Sequence, residues 1–145
     1  MQAPETALRA TAAALAFLTR VPVGRWVALD GEDVARGAVL FPVVGAGIGA
    51  LVGLVAVGLD ARLTVFVAAG LAVALDALLT GGIHLDALAD SADGLGAGTR
   101  ERALEIMRDP TIGAFGATAL LLDVVVKIAA LAAVTAGPDA LLAVV

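Results

Sequence analysis

Residues 38–59 carry no ionisable side chain, Asp60 and Arg62 mark a short charged turn, and a second apolar run over 63–83 is broken only by Asp76. At about 1.5 Å per residue, a helix of either length matches the roughly 30 Å hydrocarbon layer of a bilayer, so each run predicts a transmembrane span. A third span is predicted over 113–136, where Asp123 and Lys127 stand four residues apart and so pair on one helix face. Gly137 and Pro138 end it, and 139–145 reads as the opening of another helix. A mid-membrane carboxylate costs about 2.5–3.5 kcal/mol on insertion scales, so Asp76 is expected to face protein or water. Residues 7–18 are long enough for an interfacial helix but too short to cross, which predicts such a helix on the cytosolic surface.

Within the first span Gly45, Gly49 and Gly53 recur every fourth residue. One helix face is then nearly flat, and close packing of another helix is expected there, a homo-oligomer contact included. Composition points the same way. Of 145 residues 61% are hydrophobic and only 16% charged, with a mean hydropathy of +1.02. The fold class expected is all-α: a polytopic membrane helix bundle, surrounded by lipid, with a polar active-site segment over 84–112.

Charge and side-chain chemistry narrow the functions. A net charge of −5 with nine basic residues argues against nucleic acid, which needs clustered Lys and Arg. Without cysteine, and with one histidine, thiolate chemistry and polyhistidine metal sites are excluded, so any metal is expected to be held mainly by oxygen. No cleavable signal is expected at the N-terminus. Seven of the eight arginines precede the first span or lie between the second and third, which predicts that both regions face the cytoplasm.

The segment after the second span concentrates the chemistry. Asp86, Asp90 and Asp93 stand at i, i+4 and i+7, within an arc of roughly 60° on one helix face. Partly shielded carboxylates about 6 Å apart repel by about 2–3 kcal/mol at an effective dielectric near 20, and a divalent cation relieves that repulsion. Oxygen ligands favour magnesium or manganese, with substrate phosphates completing the shell. Gly94, Gly96 and Gly98 let backbone amides approach a ligand. The amphipathic run 100–108 brings Arg100, Arg102 and Arg108 as phosphate contacts, with Glu105 and Asp109 able to extend the metal site. His84 is a general-base candidate if the helix bends at the glycines.

Four motifs carry a resemblance to a known family: FLTRVPVG at 17–24, FPVVGAGIG at 41–49, TGGIHLDALADSADGLG at 80–96 and LEIMRDPTIGAFG at 104–116. Their identity and order make the chain similar to cobalamin synthase, adenosylcobinamide-GDP ribazoletransferase, over about 17–133. The resemblance implies a magnesium-dependent, multi-pass enzyme of the cell (inner) membrane with its active site facing the cytoplasm. Its implied partners are adenosylcobinamide-GDP and alpha-ribazole or its 5'-phosphate, and GMP is released. It carries the acidic motif onto His84, Asp86, Asp90, Asp93 and Gly94, and the second motif onto Glu105, Arg108 and Asp109. The chain departs at Ala87, usually Gly, and at Pro110 and Thr111, usually Ser-Arg. Family members continue through further spans, so a chain truncated at the C-terminus is expected.

Two other readings compete. A CDP-alcohol phosphotransferase pattern fits Asp90, Asp93, Gly94 and Ala97 but meets Gly98 where it needs Arg. A small ion or proton transporter would instead use Asp76, Asp123 and Lys127.

Overall fold

The computed structural model describes residues 2–25 and 27–137, so the helix opening expected over 139–145 lies outside the described residues. Among them every regular element is helical. Helix α1 (Gln2–Leu18) is followed by α2 (Gly31–Gly37), α3 (Phe41–Asp60), α4 (Val65–Thr80), α5 (Ile83–Leu95), α6 (Arg100–Ile106) and α7 (Ala114–Thr135), with single 3-10 turns before α2 and α3.

The apolar helices are packed through their smallest side chains. Ala56 of α3, Ala68, Ala69 and Ala72 of α4 and Ala132 of α7 are buried, whereas Leu51, Leu54, Phe66, Val67, Leu71, Leu121, Leu122, Val125 and Val126 point outward. That inverts the pattern of a water-soluble core. It suits a lipid-facing bundle, in which small residues let backbones approach and bulky ones meet acyl chains. Residues Gly31–Asp60 and Ala114–Thr135 are long and apolar enough to cross a membrane, and a third span counts if α4 and α5 are taken as one broken segment.

Helix α4 is shorter than the run 63–83 suggested. It stops at Thr80 because Gly81 and Gly82 both adopt left-handed backbone conformations, with φ of 70° and 74°. Two such residues in succession turn the chain, and α5 leaves at 90° to α4. The polar segment therefore starts as a helix lying across the end of α4. Helix α1 begins at Gln2, ahead of the expected 7–18, and is tied to α2 because Arg9 grips the buried carboxylate of Asp33. Phe17 stacks on Phe41 with ring centroids 5.4 Å apart, joining α1 to α3.

Of the glycine stripe, Gly53 is buried, but a methyl group at Gly45 or Gly49 would meet nothing within 4 Å. Asp123 pairs with Lys127 at 2.8 Å, as their spacing predicts. Asp76 and Lys127 line one cavity of about 470 Å³ between α3, α4 and α7, so Asp76 faces protein as expected.

Candidate active site

The glycine elbow aims the first turns of α5 at the segment that follows α6. Asp86 donates its backbone N–H to the Gly82 carbonyl in the first turn of α5, and it lines the same cavity as the two glycines. A cavity of about 800 Å³ opens here. Gly81, Gly82, Asp86 and Asp90 form one wall, residues 107–112 form the opposite wall, and Leu120 of α7 contributes apolar surface. Asp86, Asp90, Arg108 and Asp109 thus meet at one place although 22 residues separate the first from Arg108 (108 − 86).

Helix α6 holds the far wall. Its N-terminus is capped by Thr99, whose hydroxyl accepts the Arg102 N–H at 3.3 Å. Gly94 is buried beneath α6, and a methyl group there would stand 2.6 Å from Met107 Cε. The glycine expected at the substrate is therefore where α6 packs on α5. Beyond α6, Asp109 closes a tight turn by accepting the Thr111 hydroxyl at 2.6 Å and the Thr111 N–H at 2.9 Å. Those two bonds hold the Asp109 carboxyl below the ordinary value of 3.8.

The aspartate triad divides. Asp86 and Asp90 share the cavity, but Asp93 turns toward α7 and accepts the N–H groups of Gly113 at 2.7 Å and Gly116 at 2.8 Å. The cause is the start of α7. Its own N-cap residue, Gly113, has no side chain with which to satisfy the orphan amides, and the carboxylate from α5 does so instead. Asp93 lines a neighbouring cavity of about 400 Å³ with Asp109, Thr111 and Ile112.

The remaining expected residues stand apart from the main cavity. His84 is exposed in the first turn of α5, and Arg100 is exposed at the start of α6; neither is among the lining residues. Arg102 pairs with Glu105 at 2.7 Å on the outer surface of α6.

Among the described residues, no three acids or histidines converge as a ready metal cage. The chemistry of the donors fits magnesium all the same. Asp86, Asp90 and Asp109 offer only oxygen, and magnesium typically takes one or two carboxylates and fills its shell with water and substrate phosphate.

Sequence reasoning missed the elbow, Met107, Thr111 and Leu120 as parts of the site. The Gly-Gly pair was a legible sign of a break, though not of its angle. The packing of Met107 and Leu120 depends on contacts between distant helices, which leave no local signal.

A family model described as Cobalamin-5-phosphate synthase matches residues 10–145. An adenosylcobinamide-GDP ribazoletransferase of Escherichia coli O127:H6 is 46% identical over 134 residues, covering 90% of this chain and 54% of the relative. Proteins of the same name from Escherichia coli O17:K52:H18 and Citrobacter koseri are each 48% identical over 119 residues, 80% of this chain and 48% of theirs. The chain spans about half the length of the curated relatives it matches. No solved structure matches.

Proposed function

The chain belongs to the cobalamin-5-phosphate synthase family, and from that premise we propose that it carries the phosphate-handling site of an adenosylcobinamide-GDP ribazoletransferase. In this reading the adenosylcobinamide phosphate group passes from adenosylcobinamide-GDP to alpha-ribazole or its 5'-phosphate, and GMP is released. The observation that carries it is the meeting of Asp86, Asp90, Arg108 and Asp109 at one cavity beside the glycine elbow.

Asp86 and Asp90, with Asp109 alongside, would hold magnesium, whose chemistry when bound is to neutralise charge on phosphate oxygens. Arg108 donates hydrogen bonds to the diphosphate and orients it. A ribose hydroxyl oxygen bonds to the cobinamide-side phosphorus, and the bond from that phosphorus to the bridging oxygen breaks. GMP leaves with the electron pair, and the hydroxyl proton passes to water. Such a transfer depends mainly on positioning and charge, so no covalent nucleophile is required. The clustering of arginine before the first span and around the site supports a cytoplasmic face of the inner membrane.

The test is release of GMP from adenosylcobinamide-GDP and alpha-ribazole by a polypeptide of the relatives' length. The reading expects release to require magnesium and to stop with EDTA. Undiminished release in EDTA would remove the metal from the account.

A further inference from the structure

The motif FLTRVPVG plays no part in the site as described so far, yet the fold brings it to the elbow. Arg20 donates its backbone N–H to the carbonyl of Leu79 at 2.7 Å. That carbonyl lies in the last turn of α4, where the left-handed Gly81 has ended the helix and left acceptors unpaired. The stem of Arg20 then lies across Gly81: a methyl group there would stand 2.7 Å from Arg20 Cγ, 2.9 Å from Cδ and 3.6 Å from Nε. Gly81 itself lines the main cavity. The guanidinium is exposed, and no hydrogen bond or ion pair engages it among the described residues.

Charge gives this position a use. The lining holds Asp86, Asp90 and Asp109 against Arg108 alone, three negative charges and one positive. A diphosphate adds more negative charge, so the site needs cations beyond Arg108. Arg102 is committed to Glu105, and Arg100 is away from the lining. Arg20 is a free cation anchored at the elbow by its own backbone. Its long side chain already lies against Gly81, a residue of the lining, and guanidinium is the side chain best matched to two phosphate oxygens.

We propose that Arg20 is a second phosphate-contacting arginine of this site, supplied by the segment between α1 and α2 and closing over the diphosphate from the elbow side. The inference rests on the diphosphate reading given above. A purely structural role is the alternative, because a cation near the C-terminal end of α4 also suits the helix dipole.

Binding of GDP and of guanosine to a polypeptide of the relatives' length in detergent micelles, measured by titration calorimetry, separates the two. Arg20→Met keeps the stem over Gly81 and removes the charge; Arg20→Lys keeps a charge. The expected result is that Arg20→Met weakens GDP binding about tenfold, Arg20→Lys weakens it only about threefold, and guanosine binding is unchanged. Wild-type affinity for GDP in Arg20→Met would overturn the proposal and leave the diphosphate reading standing. Equal losses for GDP and guanosine would overturn it in favour of the structural role. A wild-type chain that binds no GDP would overturn both this proposal and the reading beneath it.

Discussion

Asp93 Oδ1 accepts the backbone N–H of Gly116 at 2.8 Å across 23 residues of sequence. Its other oxygen accepts the N–H of Gly113, so one carboxylate from α5 caps two of the orphan amides at the start of α7. In the same motif Asp86 and Asp90 face the cavity. Three carboxylates within eight residues thus serve different ends, one joining the helices and the other two facing the cavity.

This division predicts opposite outcomes for neighbouring substitutions. Asp93→Ala removes two charge-assisted bonds and leaves the amides of α7 uncapped, which lowers stability by about 2 kcal/mol. The Asp90 side chain makes no hydrogen bond among the described residues, and Asp90→Ala changes stability by less than about 0.5 kcal/mol. Unfolding of the two variants in detergent, followed by circular dichroism, checks the pair. Equal stability would contradict the capping role.

Close approach on the other side of the bond gives a second expectation. A methyl group at Gly116 would run into the Asp93 carboxylate and stand 2.9 Å from the Ala89 carbonyl oxygen, which is backbone and cannot swing away. Gly116→Ala is expected to cost about 2 kcal/mol through overpacking. Gly45→Ala, where nothing lies within 4 Å, is expected to stabilise α3 by about 0.5–1 kcal/mol. Comparing the unfolding midpoints of these two variants tests whether the α5–α7 contact is as tight as described.

Asp109 supplies a pH expectation. The Thr111 hydroxyl, and then the Thr111 N–H, hold its carboxyl below 3.8. A carboxyl lowered in the folded state stabilises its turn at pH above the unfolded value, and that contribution is lost as pH falls through the lowered folded value. Thr111→Val removes the hydroxyl bond, so the Asp109 titration is expected to move up toward 3.8. Carbon-detected NMR titration of the side-chain carboxyl measures this, and an unchanged midpoint would show that the hydroxyl is not its main cause.

Much of the fold was legible because hydropathy acts locally. A charge-free run of about 22 residues at 38–59 has few alternatives to a helix of membrane length, and α3 occupies Phe41–Asp60. The four-residue spacing of Asp123 and Lys127 likewise placed both on one face. The acids of the site were legible as a cluster, since polar residues at the end of an apolar run are conspicuous. What Asp93 does with its charge was not, because its partners are amides more than 20 residues away and helical spacing describes only the helix that bears it. The right angle at Gly81 and Gly82 was hidden for a related reason. Glycine permits a left-handed backbone without requiring it, and the side chain set against Gly81, that of Arg20, comes from 61 positions earlier in the chain (81 − 20). Of the three glycines expected to let amides approach a ligand, Gly94 lies against Met107 and Gly96 against Phe115, contacts between helices that spacing along the chain does not show.

If Asp86 and Asp90 act on the diphosphate, as proposed, while Asp93 holds the fold, the effect is read in the initial rate of GMP release by an Asp90→Asn polypeptide of the relatives' length. With helical content and unfolding midpoint at their wild-type values, the account predicts a rate lowered by about 100-fold to 1,000-fold, the scale for losing one preorganised charge at a transition state. A folded Asp90→Asn protein that releases GMP at the wild-type rate would contradict it.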